Sequence, residues 1–156
     1  MRRKDREVTD KEKIKTIIKE CHCCRIGYND NGKVYIVPLN FGESEDNGKM
    51  VFYFHSAKEG RKVELIEKAP KVGFEMDTNY QIKEADVACD FSARYQSVIG
   101  EGIVQIVEDE KEKIEGLKAI MKHATGKTDW TFEQKMLNAV CVFKLVVEKI
   151  SCKQIV

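Results

Sequence analysis

The chain has 156 residues, of which 42% are hydrophobic and 34% charged, and its formal net charge is +1. This length and composition are typical of one globular domain, and we expect a single domain over residues 1–156. The near-neutral charge gives no electrostatic reason to expect nucleic acid or an anionic membrane as partner, and no apolar run approaches the roughly 20 residues of a membrane-spanning helix.

The first part of the sequence predicts one helix followed by an antiparallel meander. The capping box Thr9-Asp10-Lys11-Glu12 opens a helix that ends near Glu20. The turn sequence Asn29-Asp30-Asn31-Gly32 joins two strands into a hairpin, and Pro38 indicates an edge, a bulge or a strand end. The predicted strands are 24–28, 33–37 and 50–54, with a polar loop over 43–48.

The second part mixes strands and helices without βαβ repeats. Gly100 and Gly102 interrupt one long strand, which indicates a bulge, a bend or a close approach of another group. The predicted strands are 72–76, 95–107 and 140–150, the helices are 61–69, 109–124 and 132–138, and 77–90 is a loop. This order favours a mainly β fold, an antiparallel barrel or sheet with flanking helices.

The junction from Phe54 to Lys62 is the strongest candidate site. Arg61 and Lys62 fall in the first turn of a predicted helix, where cations meet the positive end of the helix dipole. A bound phosphate would reverse that penalty, because helix N–H groups, both cations and the Ser56 hydroxyl could face it. The alternative is a solvated turn whose cations are balanced by nearby glutamates.

Two further segments suit a flat ligand. The apolar strand ending in Val37, Pro38, Leu39 and Asn40 could border a heterocycle that needs a few hydrogen bonds. It could equally be a strand end at which Asn40 opens a turn. Polar residues alternate along Arg94–Gly100, where they could line a cavity or form the wet face of a half-exposed sheet.

Cysteine clustering at Cys21, Cys23 and Cys24 does not predict a metal site. In an extended chain, neighbouring side chains point to opposite faces, so these thiols and His22 cannot converge on one zinc. With six cysteines in a domain of this size and no signal peptide, we expect reduced thiols and a cytoplasmic protein.

Considered together, these segments resemble the flavin-binding split-barrel superfamily that includes pyridoxamine 5′-phosphate oxidases, and in particular its nitroimidazole-resistance-related group. The matching elements occur in the family's order across nearly the whole chain. They are Arg2-Arg3-Lys4-Asp5-Arg6-Glu7, Tyr35-Ile36-Val37-Pro38-Leu39-Asn40-Phe41, Phe54-His55-Ser56-Ala57 with Gly60-Arg61-Lys62, Cys89-Asp90-Phe91-Ser92, and Tyr95-Gln96-Ser97-Val98-Ile99-Gly100-Glu101-Gly102.

The resemblance implies a six-stranded antiparallel split β-barrel that forms a homodimer with two FMN sites at its interface. Val37, Pro38, Leu39 and Asn40 would border the flavin ring, and His55 and Ser56 would contact the ring or ribityl chain. Arg61 and Lys62 would hold the phosphate. Ser97 and Val98 would lie near the flavin, in many relatives from the partner subunit.

The same resemblance implies an FMN-dependent oxidoreductase that reduces nitroaromatic or similar small electrophiles, with His55 as the proton donor. The alternatives are a flavin-binding protein for storage or sensing, and a split barrel that uses haem or a deazaflavin. Vitamin B6 oxidation is not expected, because the final segment, Lys149 to Val156, lacks the arginine and histidine that pyridoxamine phosphate oxidases carry there.

Overall fold

The structure is a computed structural model that describes residues 3–155. Arg2 of the amino-terminal motif, and residues 1 and 156 of the predicted domain, therefore lie outside the described residues. Over the described range the strands are β1 Glu7–Val8, β2 Cys24–Asp30, β3 Lys33–Leu39, β4 Gly42–Asp46, β5 Lys49–Ala57, β6 Lys71–Lys83, β7 Ser92–Ile106 and β8 Val140–Ile155. The α-helices are α1 Lys11–Glu20, α2 Arg61–Lys68, α3 Glu110–Thr125 and α4 Gln134–Ala139.

All strand pairings are antiparallel, in the order β3-β2-β6-β7-β8-β5-β4, and β1 pairs with β8. The prediction of a mainly β, antiparallel fold with flanking helices is therefore confirmed. The described chain has eight strands rather than six, because the short β1 and the polar β4 add to the predicted set. Within residues 3–155, no helix is both long and apolar enough to cross a membrane.

The two faces of β5 pack into different cores. Phe52 and Phe54 belong to the larger core, which also takes apolar residues from α1 and α2. Val51 and Tyr53 belong to a smaller core under α3. Successive side chains of a strand point to opposite faces, so this alternation assigns the next residues of β5 to one side or the other.

Helix α3 approaches the sheet closely because glycines stand at the contacts. A Cβ on Gly42 would overlap the backbone of Ala119, and a Cβ on Gly116 would lie 2.7 Å from the Tyr53 ring. Tyr53 donates a hydrogen bond of 3.0 Å to Glu112, to which Lys144 also donates at 2.5 Å. These contacts fix α3 against β4, β5 and β8.

Some predicted boundaries were wrong. Residues 43–48 were predicted as a loop, but Gly42–Asp46 is an edge strand whose polar residues lack the apolar alternation that indicates a strand. Asp10, not Thr9, caps α1, since its Oδ1 accepts from the Lys13 N–H at 2.8 Å. The last strand continues to Ile155 instead of ending at residue 150.

The β6–β7 hairpin is longer than predicted, because β6 continues through much of the expected loop over 77–90. The register shifts between Thr78 and Gln81, around Asn79 with its φ of 56°. A second register shift between Glu101 and Gly102 confirms the predicted irregularity in β7. A Cβ on Gly100 or Gly102 would collide with a backbone oxygen of β8, so close strand approach requires both glycines.

Candidate functional site

The predicted phosphate site lies where β5 ends and α2 begins. Gly60 precedes the helix with a φ of 126°, and its carbonyl accepts the N–H groups of Val63 and Glu64 at 3.0 and 3.2 Å. Because the N-cap residue is a glycine, it has no side chain that could cap this end of α2. The helix offers no acceptor to the N–H groups of Arg61 and Lys62, so both can meet an anion.

His55 and Ser56 leave β5 on opposite faces. Ser56 continues the alternation of Phe52 and Phe54, so it faces the larger core, and its hydroxyl donates to the Ala57 carbonyl at 2.8 Å. His55 is exposed on the other face and lies opposite Val142 in β8. Within one chain the imidazole and the hydroxyl therefore cannot both face the same small cavity.

Cys141 lies directly opposite Ser56 in the β5–β8 pair. Burial raises the pKa of the Cys141 thiol, whereas the charge of Lys113, the Ser56 hydrogen bond and the charge of Lys62 oppose this shift. Ser56 and Lys62 thus both lower the pKa of the same thiol.

A buried hydroxyl without a partner lies nearby. Tyr28 is 1% exposed, and within residues 3–155 no group forms a hydrogen bond with its hydroxyl oxygen. Burial raises the pKa of Tyr28, and neighbouring Tyr35 and Cys141 contribute to the shift. An unsatisfied buried polar group is unfavourable by about 1–3 kcal/mol, so this barrel end is a polar site without a full set of partners.

Arg61 connects α2 to the β2–β3 hairpin. Its Nε and Nη2 donate to Asp30 Oδ2 at 3.1 and 2.8 Å, and its guanidinium carbon lies 4.3 Å from the centre of the Tyr35 ring. Arg61, which is predicted to bind the phosphate, is therefore held in place by Asp30 and Tyr35, neither of which was a predicted site residue. Asp30 gave no signal beyond its place in a tight turn, and Tyr35 gave its place in a strand and in one of the segments that resemble the family.

The predicted ring-contacting segment runs along β3 at the sheet edge. The side chains of Val37 and Leu39 pack against the larger core, whereas Pro38 and Asn40 are exposed. Val37 is two residues, about 7 Å, along the strand from Tyr35, whose ring contacts Arg61. The start of this segment thus lies near Arg61, one of the predicted phosphate-binding residues, within the same chain.

Ser97 and Val98 lie far from those residues. Ser97 pairs with Lys153 of β8, while His55 pairs with Val142, eleven residues away on the same strand. This separation is roughly 35 Å along an extended strand. Val98 is fully buried, so its side chain cannot contact a cofactor unless the core opens. A single chain does not bring Ser97 and Val98 together with His55, Ser56, Arg61 and Lys62.

The outer face of β3, β2, β6 and β7 exposes several large apolar side chains among charged ones such as Arg25 and Glu75. Val34, Ile36 and Ile99 are 76%, 61% and 53% exposed. Ser97 alternates onto this face with Ile99, and a shallow groove of about 730 Å³ runs across it past Gly27 and Gly73. Large apolar side chains that are exposed together on one face favour an interaction surface.

The thiols of Cys21, Cys23 and Cys24 do not form a recognisable metal site. Within residues 3–155, no group of three or more His, Cys, Asp and Glu side chains is arranged to hold an ion. Cys21 and Cys24 are fully buried in the larger core, and Cys21 donates to the Ile17 carbonyl. Burial foremost, with smaller contributions from nearby carboxylates, raises the pKa of Cys21 to about 12.

Comparisons with known proteins agree with this architecture. Residues 10–154 match the family model described as pyridoxamine 5′-phosphate oxidase. The chain is similar to a candidate 5-nitroimidazole antibiotic resistance protein from Bacteroides thetaiotaomicron, with 30% identity and a TM-score of 0.81 over 95% of this chain and 86% of that one. No sequence among the curated proteins searched matched significantly.

Two more distant structures share the fold. The flavocytochrome Anf3 from Azotobacter vinelandii is 21% identical with a TM-score of 0.80, over 100% of this chain and 72% of that one. The FAD and haem binding protein from Mycobacterium smegmatis is 15% identical with a TM-score of 0.82, over 96% and 73%. Together with the family match, these similarities confirm the predicted split-barrel class.

The burial pattern predicts the order in which the thiols react. Cys89 is exposed and Cys23 half-buried, whereas the remaining four cysteines are buried. Because a buried thiol with a raised pKa forms little thiolate, we expect Ellman's reagent to modify Cys89 first, Cys23 more slowly and the others only after denaturation. Cys89→Ser should remove the fast phase and Cys23→Ser should leave it. A fast phase that persists in Cys89→Ser would contradict the assignment.

Proposed function

The chain belongs to the pyridoxamine 5′-phosphate oxidase family of split barrels, and from this membership we propose that it is an FMN-binding oxidoreductase. The observation that carries the proposal is the start of α2, where Arg61 and Lys62 follow the N-cap residue Gly60, shortly after Ser56 at the end of β5. Cations at a helix start are mildly unfavourable; Asp30 pairs with one edge of Arg61, and a bound anion could also face Lys62 and the other edge of Arg61. Two proteins of the same fold, a flavocytochrome and an FAD and haem binding protein, support a flavin.

The donor set suits a terminal phosphate. A phosphate monoester carries up to two negative charges and accepts several hydrogen bonds, and the junction offers two cationic side chains, a hydroxyl and two N–H groups. We assign Arg61, Lys62 and Ser56 to the phosphate end of FMN. Val37, Pro38, Leu39 and Asn40 would border the ring, mainly through the backbone of the inward-facing residues and the side chains of the exposed ones.

His55 is our candidate for proton transfer. Its side chain is exposed and on the other face of β5 from Ser56, so it can reach a substrate on the open side of a ring bound beyond the strand end. Histidine exchanges a proton near neutral pH more readily than any other side chain. The flavin would supply the electron transfer, and the protein would supply orientation and this proton.

A second copy of the chain would complete the site. One chain keeps Ser97 and Val98 far from Lys62, so residues from both strand ends can border one flavin only if a partner contributes one of the sets. The outer face that exposes Val34, Ile36 and Ile99 also carries Ser97. We propose that the chain forms a homodimer through this face. We also propose a cytoplasmic location, because all six thiols are unpaired.

We expect the purified protein to show the two-banded spectrum of a flavin, and the variant Arg61→Ala/Lys62→Ala to lose FMN. Each charge-assisted hydrogen bond contributes about 1.5–3 kcal/mol, so the dissociation constant for FMN should rise at least about a hundredfold. Fluorescence titration of the apoprotein measures it. Lys118→Ala/Lys122→Ala removes equal charge from the exposed side of α3 and should bind normally. Unchanged FMN occupancy in the first variant, or a Soret band instead of a flavin spectrum, would contradict the proposal.

The proposed dimer face makes its own prediction. Ile36→Glu places a charge among the exposed apolar side chains of this face, so light scattering after size exclusion should show the wild type as a dimer and this variant as a monomer with weakened FMN binding. Met136→Glu changes a residue of α4 that is equally exposed, at 61%, and should remain dimeric. A monomeric wild type that binds FMN fully would exclude the shared site.

Reduction and reoxidation of the bound flavin distinguish an enzyme from a flavin carrier. We expect NADH or NADPH to bleach the flavin anaerobically, and a nitroimidazole to restore its colour. Replacing a general acid typically slows a reaction by about 10²–10⁴, so His55→Gln should slow the reoxidation step while FMN stays bound. If neither nicotinamide bleaches the flavin, the storage or sensing alternative replaces the enzyme.

A further inference from the structure

The guanidinium of Arg61 is held along one edge only. Its Nε and Nη2 both donate to Asp30 Oδ2, at 3.1 and 2.8 Å. Within residues 3–155 the guanidinium makes no other side-chain hydrogen bond, so the Nη1 group and the outer hydrogen of Nη2 are free. An arginine can thus bind a carboxylate with one edge and offer the other to a phosphate.

Asp30 itself sits on a fixed support. It is the last residue of β2, followed by Asn31 and Gly32 with φ values of 51° and 84°. The Gly32 N–H donates to Asn29 Oδ1 at 2.8 Å, which closes the turn. A carboxylate on such a constrained hairpin defines a position for Arg61 better than one on a flexible loop would.

Tyr35 restrains the same group from a second direction. The guanidinium carbon lies 4.3 Å from the centre of its ring, and the ring is 6.1 Å from that of Tyr28. Asp30 restrains the edge of the guanidinium and Tyr35 restrains its face. The two contacts together restrict both its translation and its rotation.

Stability alone does not account for this arrangement. The side chains of Arg61 and Asp30 are 49% and 30% exposed, and pairs at that exposure contribute about 0–1 kcal/mol. The pair also brings a negative charge beside the place where we put a phosphate. An acid at that position is unfavourable for anion binding unless it orients the cation that binds the anion.

We propose that Asp30 is a positioning residue for the phosphate site: it holds Arg61, against Tyr35, with one edge of the guanidinium turned to the FMN phosphate. This inference rests on the proposed function. Binding is tighter when a side chain is ordered beforehand, because the entropy of ordering it is not lost on association. Asp30 would therefore strengthen the selection of FMN over riboflavin, which lacks the phosphate.

The test compares FMN and riboflavin affinities of the apoprotein by fluorescence titration. Ordering one long side chain corresponds to about two- to tenfold in affinity, so Asp30→Ala should weaken FMN binding by that factor and leave riboflavin binding unchanged. Asp30→Asn keeps an oxygen that accepts from Arg61 and should retain most of the FMN preference. In an Arg61→Ala background, Asp30→Ala should have no further effect.

The β4–β5 hairpin provides a matched control. Its Asp46-Asn47-Gly48 turn repeats the residue types of Asp30-Asn31-Gly32, with φ values of 50° and 76° at the second and third residues. Asp46→Ala removes the same charge from the same kind of turn, away from Arg61. Both flavin affinities should stay at the wild-type level in this variant.

The other outcomes are distinguishable. If FMN binds more tightly in both Asp30→Ala and Asp30→Asn, Asp30 competes with the phosphate and the inference is overturned. Equal losses for FMN and riboflavin would indicate a purely structural role and overturn it as well. No change in the FMN preference of Asp30→Ala also overturns it, with the proposed function intact. A wild type that binds no flavin, or that does not prefer FMN to riboflavin, overturns the phosphate site itself and this inference with it.

Discussion

The hydrogen-bonded register of β8 is the constraint on which the rest of the structure depends. One edge of this strand pairs with β7, and the other pairs first with β5 and then with β1. Because a strand rises about 3.3 Å per residue, the pairing determines where every attached residue lies. It places His55 beside Val142 and Ser97 beside Lys153. The two groups of residues that resemble a flavin site thus lie at opposite ends of one strand.

The other half of the site depends on how α2 is packed. Leu65 and Ile66 bury one side of this helix in the larger core, so the first turn, with Arg61 and Lys62, is held at the barrel end. The cost of cations at a helix start is small, a few tenths to about 1 kcal/mol each. Burial of Leu65 and Ile66 thus holds both cations of the first turn in place.

The sequence predicted well where the periodicity was strong. The helix that begins at Arg61 and the hairpin around Asn31 follow from apolar spacing and turn residues, and the structure has both. It predicted poorly where polar residues form strands. Residues 42–46 and the far part of β6 are held by hydrogen bonds to a neighbouring strand, and backbone hydrogen bonds leave no pattern in side-chain types.

The sequence by itself determined the family and the antiparallel class, because these depend on residue types within short segments and on the order of those segments; the phosphate-binding residues stay a prediction. Only the tertiary structure decided that His55 and Ser56 face opposite sides, that Val98 is buried, and that Arg61 contacts Asp30. Asp30 and Arg61 are 31 residues apart in the chain, and the closing of the barrel end brings them together. Contacts between distant segments depend on the register of the whole sheet, which no local pattern in the chain specifies.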